Sequence, residues 1–377
     1  MQPRPLGRTG LQVSPLGFGA MRLPMAGEGK DARVNRELAI PMIHRALAGG
    51  VTYIDTAVGY CNEDSQRVVG EALKGWRARV TISTKNPYLG EDEKEWWRLL
   101  EQSLERLGVA SIDLYHHHGV NWESFSTQVL PRVGRWMLKA KAQGLVKHVC
   151  VSFHDTNEAL KKIVATGYPE VITLQYNLLD RQLEEGIALA QAAGIGVVVM
   201  GPVAGGRLGD ASQVLGGLVP GIERVPELAL RFVLANPHVA VALSGMGTLA
   251  QVEANLEVAA DPVPLRPADK DAIEAHLERL KAMADLYCTG CNYCLPCPQE
   301  VAIPKIFERY NRGRVYGLWE SARNAYATLG TQPWDPGRKA DACTDCGLCE
   351  TKCPQRLPIR QQLREAHAAL TGKPATP

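Results

Sequence analysis

Eight of the ten cysteines lie between residues 288 and 353, in two runs whose spacing is typical of iron–sulfur ligands. The runs read C-x2-C-x2-C-x2-C-P and C-x2-C-x2-C-x3-C-P. In such runs three thiolates bind one [4Fe–4S] cubane, and the cysteine before proline binds the other cubane. The first run has two residues rather than three before its last cysteine, which leaves this exchange of fourth ligands open. The predicted ligands are Cys288, Cys291, Cys294 and Cys353 for the first cluster, and Cys343, Cys346, Cys349 and Cys297 for the second cluster.

Structural zinc and disulfide bonds are the alternative functions for these cysteines. A tetrahedral zinc site commonly takes two ligands from each of two C-x2-C pairs, which would leave the third cysteine of each triplet unused. Disulfides belong to oxidising compartments, and the first 20 residues show no charged segment followed by an apolar one, as a secretory signal would. Both alternatives are therefore disfavoured, and a cytoplasmic location is expected.

Three polar side chains close apolar runs in the first third of the chain: Asp55, Lys85 and His118. In a (β/α)8 barrel, catalytic residues lie at the carboxyl ends of the strands, which meet at one rim. A single polar residue at a strand end is usually no more than a solvated terminus. Three from consecutive strands would meet at the same rim, and they therefore indicate a catalytic site.

Eight short β-branched runs alternate with helical patterns, and this alternation predicts the barrel that would position those residues. An open doubly wound sheet is the alternative fold, but it would normally carry a G-x-G-x-x-G fingerprint after its first strand, which this sequence lacks. The predicted strands cover residues 16–21, 52–57, 80–85, 112–118, 148–153, 171–177, 196–202 and 239–246.

With 377 residues, the chain is long enough for a barrel and a smaller second domain. The proline-rich segment 261–267 predicts a linker, so we expect a barrel domain over 1–265 and a mainly helical, ferredoxin-like dicluster domain over 266–377. Helical patterns in the second domain cover residues 268–286, 303–329 with interruptions at Gly313 and Gly317, and 359–370.

The charges give no case for a nucleic-acid or membrane partner. The 42 basic and 40 acidic residues are well mixed and leave a formal net charge of +2. No apolar run approaches the roughly 18 residues that a membrane-spanning helix requires. The expected partner is therefore a small-molecule substrate.

Motifs spread over residues 3 to 260 resemble the aldo/keto reductase family, and the cysteine runs resemble the bacterial and archaeal members that carry a C-terminal ferredoxin-like extension. Because the agreement is dispersed along the chain, it is highly specific. The matching segments are residues 6–11, 16–19, 54–57, 70–73, 83–85, 112–115, 175–177 and 201–202.

The resemblance implies a catalytic tetrad of Asp55, Tyr60, Lys85 and His118. An ammonium beside a phenol lowers the pKa of that phenol, so Lys85 is expected to lower the pKa of Tyr60. Asp55 would keep Lys85 charged and oriented. His118 would donate a hydrogen bond to the carbonyl oxygen of the substrate.

The run of three histidines makes the histidine assignment ambiguous. His116 shares the strand face of His118, whereas His117 points the opposite way. We choose His118 because it follows Asp113 by five residues, which is the spacing of the family. His116 and His117 are expected to pack around the site.

The resemblance also implies a nicotinamide cofactor, NADP or NAD, across this rim. Three departures from the family pattern qualify this inference: Phe153 replaces an asparagine, Met200 replaces a stacking aromatic residue, and Gly245 and Gln251 replace basic residues that clamp a 2′-phosphate. The last departure weakens the argument for NADP, because a phosphate is best held by arginine or lysine. The implied cofactor-binding residues are Ser152, Gln175, Met200, Gly201 and Asn255.

Two functions fit these features. The first is a reversible NAD(P)H-dependent reductase of aldehydes or ketones with two [4Fe–4S] clusters that are structural or serve a redox partner protein. The second is an electron-transfer subunit in which the barrel is a docking scaffold. Because all four tetrad positions carry the expected residue types, the reductase function is favoured. Nicotinamide transfers a hydride whereas a cluster accepts one electron, and no flavin motif is evident, so the two chemistries are expected to be separable.

Overall fold

The computed structural model describes residues 1–209, 211–261, 265–285, 288, 292–332, 334–353 and 356–372. The chain divides into two compact units. Unit 1 combines Met1–Ala204 with Ala229–Pro264, and unit 2 combines Gly205–Leu228 with Leu265–Pro377. The segment Gly205–Leu228, which the sequence assigns to the barrel, thus groups with unit 2. The domain limit at residue 265 stays a prediction, and residues 262–264 of the predicted linker lie outside the described residues.

Unit 1 is a closed barrel of eight parallel strands, which confirms the predicted fold. Each strand pairs with the next one along the chain, and the last pairs with the first. The strands differ from the predicted ones only at their ends. They are β1 (Leu16–Gly19), β2 (Tyr53–Asp55), β3 (Thr81–Asn86), β4 (Ile112–Val120), β5 (Val146–Phe153), β6 (Val171–Gln175), β7 (Gly196–Met200) and β8 (Val241–Ser244).

Because side chains alternate between the two faces of each strand, every second side chain points into the barrel, and these inward side chains form layers. The lower layer is largely apolar and includes Tyr53, Leu114, Cys150 and Val198. The next inward positions towards the carboxyl ends carry mainly polar side chains. The register pairs Asp55 with Ser83 on β3, and Lys85 with His116 on β4. The pairing therefore brings the predicted catalytic positions to one end of the barrel.

Amphipathic helices surround the strands. In the helix Glu93–Leu107, capping residues set both ends. The Asp92 side chain accepts a hydrogen bond from the Lys94 backbone nitrogen, and Gly108 ends the helix at φ 64°. The helices of the barrel region are Arg36–Ala48, Ser65–Ala72, Glu93–Leu107, Trp122–Ser124, a π-helical segment Phe125–Val133, Gly134–Ala142, Asn157–Ala165, Glu184–Ala192, Val225–Leu234 and Leu249–Ala260.

Unit 2 is mainly helical, as predicted, with an apolar core that includes Ile306, Phe307, Tyr326 and Leu363. Among the described residues its helices after the barrel are Pro267–Asp285, Ile303–Tyr316, Trp319–Ala327, Leu348–Lys352 and Ile359–Thr371. No helix in the described part of the chain combines the length and apolarity needed to cross a bilayer.

The predicted helix over 303–329 is two helices. Gly317 ends the first one in the left-handed region at φ 69°, which favours glycine. The expectation that Gly313 also interrupts the helix was wrong, because Gly313 lies inside it. A Cβ atom at this position would lie 2.3 Å from the Trp319 ring, so this glycine permits close helix packing.

Candidate active site

A buried ion pair at the ends of β2 and β3 forms the base of the site. The Lys85 Nζ atom donates to Oδ1 of Asp55 at 2.5 Å and to the Thr56 carbonyl oxygen at 2.9 Å. The Ser83 hydroxyl donates to the other carboxylate oxygen of Asp55 at 2.7 Å. Burial alone would lower the pKa of Lys85, but the Asp55 carboxylate and Tyr60 outweigh it and raise that pKa. Lys85 is therefore a fixed cation.

Tyr60 lies in the loop after β2, beside this cation. The Lys85 Nζ atom is 4.8 Å from the centre of the Tyr60 ring, and the ring meets His118 edge-on with 6.0 Å between centroids. Burial raises the pKa of Tyr60, while Lys85 opposes this shift and Asp55 adds to it. The expectation of a lowered Tyr60 pKa is therefore corrected: Lys85 acts in the expected direction, but burial is the larger effect. The phenol is protonated at neutral pH.

An unusual turn follows Tyr60. Cys61, Asn62 and Glu63 all have positive φ angles, of 52°, 53° and 66°. The left-handed region costs roughly 1–2 kcal/mol for each residue with a side chain, so contacts must hold this turn in place. The Asn62 amide donates to the backbone oxygens of Gly29 and Ala32, at 3.0 and 3.1 Å. The Glu63 carboxylate accepts from the largely buried Arg106 at 2.7 Å.

The three histidines of β4 occupy distinct environments, and all three are neutral. Burial, then Lys85 and His154, lower the pKa of His118 to about 4. His116 is fully buried inside the barrel, with its Nε2 atom 2.9 Å from the Thr173 hydroxyl. His117 points the opposite way and lies 2.8 Å from the Tyr168 hydroxyl. These positions agree with the predicted strand faces, and His118 lies beside Tyr60 as a neutral hydrogen-bond donor.

The predicted cofactor-binding residues lie along the same rim. The Ser152 hydroxyl is buried and has no hydrogen-bond partner among the described residues, which fits a group that binds a ligand amide. Gln175 and Met200 are paired at the ends of β6 and β7, and Gly201 follows with φ 66°. The Asn255 amide donates to the Ser244 hydroxyl at 2.9 Å. This donor set and its place at the strand ends fit a nicotinamide cofactor.

Gly245 and Gln251, which replace the basic residues of the family at the predicted 2′-phosphate end of the cofactor, lie after β8. A Cβ atom at Gly245 would lie 3.5 Å from the Cδ atom of Arg22, which extends from the loop after β1. Arg22 forms no ion pair within the described part of the chain. The Gln251 side chain accepts from the Gly247 backbone nitrogen at 2.8 Å. One free arginine therefore lies near the loop that lacks the basic residues of the family.

His154 lies at the same rim and was not among the predicted site residues. It follows β5, and its backbone nitrogen donates to the Val120 carbonyl oxygen at the end of β4 at 2.9 Å. The signal was present in the sequence, because positions 150, 152 and 154 continue one face of the strand pattern. It was missed because His154 lies just beyond the predicted strand.

Five of the described cysteines of unit 2 line one cavity. Its lining includes all four predicted ligands of the second cluster, Cys297, Cys343, Cys346 and Cys349, and also Cys294. Cys288 and Cys353 are half-buried and pack against the same apolar core. Cys291 lies outside the described residues. The lining of this cavity fits an iron–sulfur cubane with thiolate ligands.

A single metal ion fits these cysteines less well. Within the described ranges, no group of three or more histidine, cysteine, aspartate or glutamate side chains could hold one ion. One zinc ion needs sulfur ligands about 2.3 Å from a common point, whereas a cubane binds its thiolates through separate irons. One zinc ion takes four protein ligands, whereas five described cysteines line this cavity, which favours a cluster over zinc.

Comparison with known proteins identifies both parts of the chain. The aldo/keto reductase family matches residues 15–215, which is more than half of the chain and includes Asp55, Tyr60, Lys85 and His118. The chain belongs to the aldo/keto reductase family. Residues 287–357 match the 4Fe-4S dicluster domain. The protein is therefore an oxidoreductase of the aldo/keto reductase family with an iron–sulfur domain at its carboxyl end.

Two curated relatives match most of this aldo/keto reductase. An uncharacterized oxidoreductase, YqkF of Bacillus subtilis, is 26% identical over 74% of this chain and 97% of its own length. The NADH-specific methylglyoxal reductase of Escherichia coli is 26% identical over 74% of this chain and 100% of its own length.

Solved structures agree with the barrel. The aldo-keto reductase AKR11C1 from Bacillus halodurans, in its holo form, is 29% identical with a TM-score of 0.63, over 73% of this chain and 96% of that protein. An aldo-keto reductase from Klebsiella pneumoniae in complex with NADPH is 23% identical with a TM-score of 0.62, over 74% of this chain and 95% of that protein. The second likeness supports the fold alone.

Proposed function

We propose that this aldo/keto reductase uses NADPH or NADH to reduce aldehydes or ketones reversibly, with Asp55, Tyr60, Lys85 and His118 as its catalytic residues. The observation that carries the proposal is the buried Lys85–Asp55 pair beside the Tyr60 ring. The name of one relative, the NADH-specific methylglyoxal reductase of Escherichia coli, supports the cofactor and substrate classes.

The bound nicotinamide would supply a hydride to the carbonyl carbon. As the C=O double bond breaks, the oxygen becomes an alkoxide and takes the proton of the Tyr60 hydroxyl. The raised pKa of Tyr60 keeps that proton available at neutral pH. The Lys85 ammonium stabilises the phenolate left behind, and solvent returns its proton. Reduction is thus favoured at neutral pH, and oxidation of the alcohol, which begins from the phenolate, is favoured at higher pH.

His118 and Asp55 support this proton transfer but do not supply the proton. With a pKa near 4, the His118 imidazole is neutral and donates a hydrogen bond to the developing alkoxide. Asp55 holds the Lys85 ammonium in place through its 2.5 Å contact. The cofactor, either NADP or NAD, would be held by Ser152, Gln175, Met200, Gly201 and Asn255.

We further propose two [4Fe–4S] clusters in unit 2, with Cys288, Cys291, Cys294 and Cys353 for the first and Cys343, Cys346, Cys349 and Cys297 for the second. The cavity bordered by all four ligands of the second set supports the exchange of Cys297 between the runs. Cys346 is exposed, so electrons could pass from this cluster to a redox partner protein.

The experiment measures the iron–sulfur content and the carbonyl reductase activity of one anaerobically purified sample. Wild-type protein should contain about eight irons and eight sulfides, and it should oxidise NADPH or NADH with a panel of aldehydes. Tyr60→Phe should retain the iron and the cluster absorbance but lose carbonyl reduction by at least about a hundredfold, the lower end of what general acid catalysis contributes. Full reductase activity in this variant would refute the tetrad.

Loss of one cysteine tests the cluster assignment. Cys346→Ser should lower the iron and sulfide content by about one cubane, whereas Cys150→Ser, at a cysteine buried inside the barrel, should leave both unchanged. An unchanged iron content in Cys346→Ser would refute the ligand set.

A further inference from the structure

His154 is held at the mouth of the catalytic site by backbone pairing. β4 and β5 pair through Val120 and Phe153, after an irregularity between His117 and Val120. The next backbone nitrogen, that of His154, donates to the Val120 carbonyl oxygen at 2.9 Å. His118 lies in the irregular stretch of the partner strand. The ends of the two strands therefore place His118 and His154 at the same rim of the barrel.

The His154 imidazole is exposed, and neither of its ring nitrogens has a hydrogen-bond partner in the described ranges. In contrast, His116 bonds to the Thr173 hydroxyl and His117 to the Tyr168 hydroxyl. The ring nitrogens of His154 are therefore available to a ligand at the rim.

The electrostatics agree with a position of His154 at the catalytic rim. Partial burial, followed by the Lys85 ammonium, lowers the pKa of His154, and His154 in turn contributes to the low pKa of His118. Both imidazoles are therefore neutral at pH 7. The Lys85 charge is balanced by Asp55. Two neutral imidazoles beside a balanced ion pair suit an uncharged substrate with more than one oxygen.

We propose that His154 binds a second oxygen of the substrate, next to the carbonyl oxygen that His118 contacts. The preferred substrates are then uncharged carbonyl compounds with an oxygen on the adjacent carbon, namely 2-oxoaldehydes and 2-hydroxy carbonyl compounds. An imidazole suits both, because its N–H donates to a carbonyl oxygen and its other nitrogen accepts from a hydroxyl. This inference rests on the proposed carbonyl reductase activity and names its substrate class.

The test compares two substrates of equal chain length, 2-oxopropanal and propanal, with the intact protein. His154→Phe should lower kcat/KM for 2-oxopropanal by up to about tenfold, mainly through KM, because tenfold corresponds to about 1.4 kcal/mol, near the upper end of what one neutral hydrogen bond contributes. For propanal, kcat/KM should change by less than about twofold. Hydration of 2-oxopropanal in water is the same for every variant and cancels from the comparison.

Two further variants separate substrate binding from folding. His154→Gln keeps a donor and an acceptor and should restore most of the preference for 2-oxopropanal. His148→Gln, on the same strand but paired with Glu170 at 2.8 Å, should affect both substrates equally. Equal losses for both substrates in His154→Phe, or no loss, would overturn the role of His154. Failure of the wild-type protein to reduce either substrate would instead refute the proposed function.

Discussion

The Lys85 ammonium lies 2.5 Å from the Asp55 carboxylate and 4.8 Å from the centre of the Tyr60 ring. One buried cation thus serves both the packing of the barrel and the chemistry at its mouth. The Lys85 and Asp55 side chains are only 2% and 6% exposed. Removal of either partner would leave the other as an uncompensated charge in the interior.

We expect Asp55→Asn and Lys85→Met each to lower the free energy of unfolding by about 3–5 kcal/mol, because each leaves one buried charge unpaired. The double variant should be more stable than either single variant, since no buried charge remains. All three should lack carbonyl reductase activity. Denaturant unfolding followed by tryptophan fluorescence measures the stabilities, and turnover of one aldehyde measures the activity.

The exposed Glu95–Arg98 pair is the matched control, with a separation of 2.7 Å and side chains 35% and 55% exposed. Its double variant to glutamine should leave the stability close to that of the wild type, because water screens an exposed pair. If Asp55→Asn/Lys85→Met were as unstable as the sum of its single variants, the two charges would not compensate each other in the folded protein.

The barrel and most of the candidate site could be predicted from the sequence because strands follow a period of two. That period places Asp55, Lys85 and His118 inward, and the strand order brings them together. The sign of the Tyr60 pKa shift could not be predicted, because it depends on how much burial opposes Lys85. His154 was missed because it lies just beyond the end of the predicted strand, although positions 150, 152 and 154 continue one face of that strand.

Acid stability should depend on His117. Burial lowers its pKa to about 3 in the folded protein, against 6.5 for an ordinary histidine. Below pH 6.5 the unfolded chain therefore binds a proton that the folded chain does not, and stability falls as the pH falls towards 3. The contribution of one such group reaches about 1.4 kcal/mol per pH unit.

The double variant His117→Phe/Tyr168→Phe removes this group together with its hydroxyl partner at 2.8 Å. Between pH 7.5 and 5 it should lose less stability than the wild type, by about 2 kcal/mol at pH 5. Urea unfolding at several pH values measures the two slopes, and contributions of the cysteine region cancel in their difference. Parallel slopes would show that His117 is not held neutral.

Cofactor preference should shift when the missing cation is restored in the loop after β8. Gly245 has no positive φ, and a Cβ atom there would lie at an ordinary contact distance of 3.5 Å from Arg22. A lysine at this position fits without strain. It should bind the 2′-phosphate and tighten NADPH relative to NADH by about tenfold, in line with a charge-assisted hydrogen bond.

Fluorescence titration with the two nucleotides measures this ratio of dissociation constants. Gly245→Gln is the uncharged control and should leave the ratio near that of the wild type. The gain in Gly245→Lys should also shrink as salt is raised, because exposed charges are screened. Equal tightening of NADPH and NADH would place the new lysine near a phosphate that both nucleotides share.

The reduction potential of the proposed second cluster should depend on Arg360, which borders the cavity together with Cys346 and Cys349. Its guanidinium nitrogens Nε and Nη2 donate to the Glu350 carboxylate at 3.1 and 2.9 Å, and Nη1 donates to the Asp345 carbonyl oxygen at 3.3 Å. The guanidinium carbon would lie 3.7 Å from a Cβ atom at Gly347. A balanced ion pair therefore stands beside the proposed ligands of the second cluster.

Arg360→Gln leaves the Glu350 carboxylate unbalanced, and Glu350→Gln leaves the guanidinium unbalanced. An added negative charge near a cluster disfavours its reduction, and an added positive charge favours it. One of the two reduction potentials should therefore become more negative in Arg360→Gln, become more positive in Glu350→Gln, and return near the wild-type value in the double variant. Potentiometric titration followed by EPR resolves the two centres.

The more exposed pair Arg364–Asp345, with side chains 49% and 56% exposed, is the control for surface charge. Because water screens it, Arg364→Gln should move the potentials less than Arg360→Gln. Iron content must stay constant in every variant, so that a shift in potential reflects charge rather than cluster loss. Equal shifts of both potentials in Arg360→Gln would contradict the placement of this pair beside the second cluster, because a charge in contact with one centre must act most strongly on that centre.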